Sequence, residues 1–358
     1  MKTIAVTILS GFLGAGKTTF LNKLIERNSG KRFAVIENEF GETGIDGNLV
    51  MNLDEGVFEL SNGCICCNLN DDLVVVLQKI LNFKNPIEHL LIETTGIADP
   101  GTVAAPFMYD ADLKKYFSFN GIVALADGLH IEEQLEEHEE ACRQIALADI
   151  VAISKTELLD AYQKETIRNI ISRMNANAQI TESLWGETTL NILSLSEYRN
   201  TGLGTKATNY RLISKGKAQL GGAIAKSIPS FWGDYKQLNH SSFSSKSFLI
   251  EDPLDFLRFE IWIRFLFSQS DFKFFRIKGI LSFQQTDEKI LFQSVNTTVD
   301  SIPLGKWGEE VRKSSIVFIG KNIRAGFLER GLLACTSADA FQPEKFYAEI
   351  SGNQKEVR

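Results

Sequence analysis

Gly11-Phe12-Leu13-Gly14-Ala15-Gly16-Lys17-Thr18-Thr19 has the spacing G-x-x-x-x-G-K-T, directly after the apolar run Ile4–Leu9 and directly before a helix-like segment. Each residue type there has a chemical use. Glycines let a loop wrap with its N–H groups turned inward as an anion nest. The helix that follows adds partial positive charge beneath the anion. A lysine at this position reaches β- and γ-phosphates, and the next hydroxyl ligates Mg²⁺. The stretch therefore reads as a phosphate-binding P-loop for a nucleoside triphosphate. Gly11, Gly14, Ala15, Gly16, Lys17, Thr18 and Thr19 are its expected nucleotide contacts, with Lys17 acting in catalysis and Thr18 on Mg²⁺.

Three further clusters follow. His89-Leu-Leu-Ile-Glu93-Thr-Thr-Gly96 is an apolar strand ending in a carboxylate and a glycine. That pattern places Glu93 near Mg²⁺ and the Gly96 N–H near the γ-phosphate. Gly63-Cys64-Ile65-Cys66-Cys67 crowds three thiols into four residues. Thiolates so placed can converge on Zn²⁺, Co²⁺ or Cu⁺, and three of them leave a fourth position open, which suits transfer. Glu37 and Glu42, in Glu37-Asn-Glu-Phe-Gly-Glu42, are candidates to complete that site. A redox pair or small buried side chains are the alternative reading of the cysteines. Ser154-Lys155-Thr156-Glu157 follows a late apolar strand, where P-loop GTPases carry Asn-Lys-x-Asp. Glu157 keeps a carboxylate for guanine on a longer arm and Lys155 can cover the base, although the same four residues also make a good helix start.

These clusters need a frame. Strand-like segments at Thr3–Ser10, Arg32–Glu37, His89–Glu93, Gly121–Asp127, Ile150–Ser154 and Ala178–Thr181 alternate with helix-like ones at Thr18–Asn28, Asn70–Asn82, Ile131–Leu147 and Leu158–Asn175. The strands are continuously apolar, as in a parallel sheet covered on both faces. A doubly wound, mostly parallel α/β domain over residues 1–195 is expected, with ligands at the carboxyl ends of its strands. Residues 196–240 are rich in Ser, Gly, Thr and Lys and read as a linker. Residues 241–335 read as a smaller α+β domain, with strands at Ser242–Ile250, Lys273–Gln284, Ile290–Val295 and Ser315–Gly320 and helices at Pro253–Phe267 and Arg324–Cys335; residues 336–358 read as a weakly ordered tail.

The net charge of −7 over 358 residues argues against nucleic acid as a partner. No apolar run reaches the length of about 20 residues that a membrane span requires. Five cysteines, three of them clustered, do not make a disulfide framework and point to reduced thiols in a cytoplasmic protein. Cys142 and Cys335 stand alone and read as small buried hydrophobes; the acidic run Glu132–Glu140 reads as a solvated helix face.

The P-loop, Glu37-Asn-Glu-Phe-Gly41, Gly63-Cys-Ile-Cys-Cys67 and Glu93-Thr-Thr-Gly-Ile-Ala-Asp-Pro100, in this order, resemble the CobW/YjiA family of metal-handling P-loop GTPases. The resemblance continues through a CobW-type C-terminal domain, from Phe243 to about Gly320. It implies GTP hydrolysis with Mg²⁺, zinc as the commonest metal, and a client metalloprotein as recipient, with a second copy of the chain as another candidate partner. Two departures stand out: the element Ser154-Lys-Thr-Glu157, and the lack of a histidine-rich segment in a chain with four histidines. Two other functions use the same residues. One is a small-molecule kinase or ATPase with structural cysteines; the other is a nucleotide-gated zinc sensor with little catalysis.

Overall fold

The computed structural model describes residues 3–37, 49–52, 57–60, 71–195, 210–213 and 243–351. The chain divides into two compact units, residues 1–200 and 201–358. In the first, the strands are β1 (Ile4–Gly11), β2 (Phe33–Glu37), β3 (Leu49–Asn52), β4 (Val57–Leu60), β5 (His89–Glu93), β6 (Phe117–Asp127), β7 (Ile150–Ser154) and β8 (Gln179–Glu182). They form one sheet in the order β3-β4-β2-β5-β1-β6-β7-β8, parallel except for β3, which runs antiparallel to β4. Every residue of β5 and β7 is buried, which is why both read as unbroken apolar runs. β1 lies between β5 and β6, so the strands fan out from it in both directions. The carboxyl end of β1 is thus the switch point of the sheet, the place where such folds bind ligands. This is the doubly wound fold expected from the sequence.

The connecting helices are α1 (Lys17–Arg27), α2 (Asp71–Leu81), α3 (Pro100–Tyr109), α4 (Ile131–Glu137), α5 (Glu139–Leu147) and α6 (Ala161–Met174). Two of them depart from the sequence reading. The single helix expected over Ile131–Leu147 breaks at His138, whose backbone is extended (φ −125°, ψ 113°). The break lets the His138 ring stack on Phe12 of the P-loop, with centroids 4.6 Å apart. α3 was not expected, because Pro106 lies inside it. Its start nevertheless carries ordinary signals: Pro100 at the first position and an Asp99 carboxylate that accepts from the Gly101 N–H at 2.8 Å.

The second unit holds β9 (Tyr210–Ile213), β10 (Phe243–Ile250), β11 (Lys273–Ser282), β12 (Glu288–Val295), β13 (Thr298–Lys306) and β14 (Ser314–Lys321), in the order β13-β12-β11-β14-β10-β9. Its helices are α7 (Phe256–Ser268), α8 (Ala325–Cys335) and α9 (Pro343–Ser351). Pairing is antiparallel apart from β9 on β10. The abundance of phenylalanine finds its explanation here. Phe259 and Phe318 pack on the fully buried Trp262, whose indole sits edge-on to Phe318 at 5.7 Å, and Phe292 and Phe248 pack in turn on those two rings. Two segments differ from expectation. β9 falls inside the stretch read as a linker, and α9 falls inside the stretch read as a weakly ordered tail, with Phe346 and Ile350 fully buried in the core. β13 was also missed; Pro303 weakens its strand signal, and the strand lies at the sheet edge where proline is tolerated.

Beneath the first sheet's switch point lies a buried polar triad. Thr7 Oγ1 accepts from Asn120 Nδ2 at 2.8 Å and lies 2.7 Å from His89 Nε2. The direction of the Thr7–His89 hydrogen bond follows the imidazole tautomer, since a hydroxyl oxygen can accept twice or accept once and donate. Burial, with help from Lys31, lowers the His89 pKa from 6.5 to about 4. Because the folded pKa lies below the unfolded one, the stabilisation is complete above about pH 6.5 and is lost as pH falls towards 4. That gap is worth about 3 kcal/mol. Denaturant titrations across this window should show the loss in the parent and a shallower one in His89→Gln; equal slopes would reject the triad as its source.

Candidate nucleotide site

β1 ends at Gly11 and α1 begins at Lys17, and the residues between them cross the carboxyl edge of the sheet. Gly14 and Gly16 sit at φ +75° and +87°, and a Cβ on either would meet nothing within 4 Å. Their requirement is conformational, and the space beside them is open. Gly16 gives α1 no side-chain cap, so the first amides of that helix stay available to an anion. Lys17 Nζ donates to the Phe12 carbonyl at 3.3 Å. Burial draws its pKa below the ordinary lysine value, against an opposing pull from the Glu93 carboxylate. An ammonium held at such desolvation cost is poised for an anionic partner.

β5 delivers the second element. Glu93 ends the strand beside Leu9 of β1 on one flank and Glu37 of β2 on the other. The Thr18 hydroxyl donates to Glu93 Oε1 at 3.0 Å. Mg²⁺ takes oxygen donors and retains several waters, so a hydroxyl and a carboxylate at the phosphate loop fit it. Past Glu93 the chain is pinned against the P-loop. The Thr94 N–H donates to the Leu9 carbonyl at 2.9 Å, and the buried Gln144 Nε2 donates to the Gly96 carbonyl at 3.0 Å. Gly96 lies so close to the P-loop that a Cβ there would stand 2.7 Å from the Leu13 nitrogen. Lys17, Thr18, Glu93 and Gly96 are thus brought together at the carboxyl edge of the sheet. Gln144 was missed; an uncharged polar residue on the apolar face of its helix was the available signal.

The third element lies at the ends of β6 and β7. Lys155 adopts the left-handed conformation (φ 58°), and its Nζ donates to Asp127 Oδ2 at 2.7 Å. Burial raises the Asp127 pKa, but Lys155, His130 and the Leu129 N–H outweigh it and hold the carboxyl below its ordinary value. Asp127 is absent from the residues singled out in the sequence; its place at the end of an apolar strand is a readable signal, whereas its register opposite Ser154 is not. The Ser154 hydroxyl donates inward to the Ala126 carbonyl at 3.2 Å, which commits it to the strand ends. Glu157 Oε2 is buried and has no hydrogen-bond partner.

Glu42, Cys64, Cys66 and Cys67 lie outside the described residues, as does the side chain of Glu37. Among the described residues, no three His, Cys, Asp or Glu side chains converge on a metal position. Cys142 and Cys335 are both buried, and burial raises the Cys335 thiol pKa well above its ordinary value. No helix among the described residues is long and apolar enough to cross a membrane.

A glycine-rich phosphate loop, a hydroxyl–carboxylate pair beside it and a parallel sheet wound outwards from the loop strand define a P-loop nucleotide-binding protein. The chain belongs to the CobW/HypB/UreG family: residues 5–182 match its nucleotide-binding domain, and residues 243–336 match the C-terminal domain of the cobalamin synthesis protein CobW. It is 31% identical over 336 residues to the zinc chaperone YjiA of Escherichia coli, covering 91% of this chain and 98% of that one. It is 30% identical over 344 residues to zinc-regulated GTPase metalloprotein activator 1 of Schizosaccharomyces pombe, covering 90% and 84%. The crystal structure of Zn(II)-bound YjiA GTPase from E. coli superposes with a TM-score of 0.65 at 26% identity, over 94% of this chain and all of that one.

Proposed function

We propose that this chain is a GTP-hydrolysing metallochaperone of the cytoplasm that takes Zn²⁺ as cargo on Cys64, Cys66 and Cys67 and passes it to a client metalloprotein. Its relatives are named zinc chaperones and zinc-regulated GTPases, which supports both halves of the reading. The observation that carries the coupling is the register of β2 against β5: Glu37 stands opposite Glu93, whose carboxylate accepts from Thr18 of the P-loop. The segment with the cysteines connects these two strands in sequence. Anything that moves the carboxyl ends of β2 and β5 therefore acts on the phosphate site and on the start of the segment that leads from Glu37 to the cysteines.

In this mechanism the P-loop amides and Lys17 hold the phosphates, and Gly96 offers its N–H to the γ-phosphate. Thr18 and Glu93 would hold Mg²⁺, which would supply neutralisation of the phosphate charge. Glu157 accepts hydrogen bonds from guanine. Loops that respond to a γ-phosphate order with triphosphate and relax on hydrolysis. Glu37 or Glu42 completes the thiolate site, so that this relaxation changes the zinc affinity.

Linkage makes the coupling measurable, because two ligands that share a switch alter each other's affinity equally. Zn²⁺ affinity should be measured by chelator competition without nucleotide, with GDP, and with a non-hydrolysable GTP analogue plus Mg²⁺. A shift of about 10-fold between the GDP and GTP-analogue states is expected, corresponding to a coupling of about 1.4 kcal/mol. It should vanish when the three cysteines are replaced together by serine, and an ATP analogue should produce it only weakly. Equal zinc affinity in all states, or unchanged affinity in the triple variant, would reject the delivery mechanism.

A further inference from the structure

The turn after β8 carries a side chain that no fold requirement explains. Leu184 and Glu187 exchange backbone hydrogen bonds of 2.9 and 2.8 Å, closing a two-residue hairpin around Trp185 and Gly186. Both central residues have positive φ, 52° and 85°. Such turns favour Asn-Gly or Asp-Gly, and a bulky residue at positive φ is an outlier. Trp185 is nevertheless there, and it is 67% exposed. An indole of this size normally serves as buried packing or as a contact surface for a partner.

The turn is held in place on two sides. Gly186 lies against α1: a Cβ on it would come within 3.1 Å of the Thr19 carbonyl and 3.2 Å of Lys23 Cγ. Arg27 of α1 donates to the Thr188 carbonyl at 3.0 Å. On the other side, the Ser183 N–H donates to the Ile153 carbonyl at 2.7 Å, and the Thr156 hydroxyl reaches the Ser183 carbonyl at 3.4 Å. The turn that carries the tryptophan thus lies against the start of α1 on one side and against the strand end leading into the Lys155–Glu157 element on the other. Glu157 Oε2, in the element that this turn packs against, is buried without a hydrogen-bond partner. The Glu157 carboxylate, in a half-buried residue beside this turn, therefore has an oxygen left for a polar partner such as a ligand or an ordered water.

We infer that Trp185 is a base-stacking residue of the nucleotide site, laying its indole against the purine while the Glu157 carboxylate meets the polar edge of the base. The inference rests on the nucleotide reading above and adds the residue that grips the base. A stack reads only the flat face of a base, so Trp185 supplies affinity for any purine, and discrimination falls to the polar floor.

Trp185 is the sole tryptophan among residues 1–200, which gives the test an optical readout. In the full chain with Mg²⁺, a non-hydrolysable GTP analogue should quench tryptophan emission, and Trp185→Phe should abolish most of that quench while binding nearly as tightly. Trp185→Ala should weaken the GTP analogue by about 10-fold, the ordinary worth of one base–aromatic stack. Its affinity for inorganic tripolyphosphate, which has no base, should match the parent's. Unchanged affinity of Trp185→Ala for the GTP analogue would overturn the inference and leave the nucleotide reading standing. Equal losses for both probes would also overturn it, since they would reveal a structural role. Failure of the parent to bind either probe would strike the nucleotide reading itself, and the inference with it.

Discussion

Lys17→Ala should lose GTP hydrolysis and weaken nucleotide binding by at least about 30-fold, while the thermal midpoint stays where it was. The first half follows from the proposed site, in which the P-loop amides and this ammonium hold the phosphates. A hydrogen bond to a charged group is worth about 1.5–3 kcal/mol, and more where water is excluded. The second half follows from the folded state without ligand. There Lys17 makes one long contact, 3.3 Å to the Phe12 carbonyl, and burial lowers its pKa, so the fold gains little from the charge. Removing it should cost no stability, and the usual objection that a null variant has unfolded does not apply. Isothermal titration with a GTP analogue, phosphate release and a melting curve on one preparation decide the matter. Hydrolysis at the parental rate would remove Lys17 from the site.

The phosphate side was legible because its residues are contiguous and conformationally specific. Gly14, Gly16, Lys17 and Thr18 act through the local backbone, and β1 before them and α1 after them are set by apolar pattern. Glu93 was legible for a related reason, since a carboxylate that ends a wholly buried strand must lie at the sheet edge. What escaped depends on pairing across long separations. Gln144 reaches the Gly96 carbonyl 48 residues away, and Lys155 finds Asp127 across two strands 28 residues apart. Nothing in the local pattern of either residue announces its partner. The broken helix at His138 escaped because apolar spacing continues through it, and the extended residue shows only as a ring stacked on Phe12. Trp185 escaped for the opposite reason: Trp-Gly is a poor hairpin signal, and tertiary contacts of Gly186 and Thr188 with α1 hold the turn.

Gly96→Ala should cut GTP hydrolysis by about 100-fold while leaving GDP binding close to the parent's, a loss of the size expected when reacting groups are displaced by up to about 1 Å. The added methyl would lie 2.5 Å from Leu13 Cδ2 and 2.7 Å from the Leu13 backbone nitrogen. The leucine side chain is exposed and can turn away, but the nitrogen belongs to the P-loop and cannot. Nor can the other partner retreat freely. The strand-end segment is tied to β1 by the Thr94 N–H, to α5 by Gln144, and to the start of α3 by Asp99. The strain must therefore open the gap between P-loop and Gly96, where the γ-phosphate would be held. GDP has no γ-phosphate, so it should be indifferent to that gap. Overpacking of this kind costs about 1–3 kcal/mol of stability, visible as a lowered denaturation midpoint without loss of the folded state. The double variant Leu13→Ala, Gly96→Ala separates the two contacts. It removes the side-chain clash and keeps the backbone one, so hydrolysis should stay low. Full recovery in the double variant would mean that the leucine side chain alone transmits the effect; parental hydrolysis in Gly96→Ala itself would mean that close approach of these two loops is not needed for catalysis.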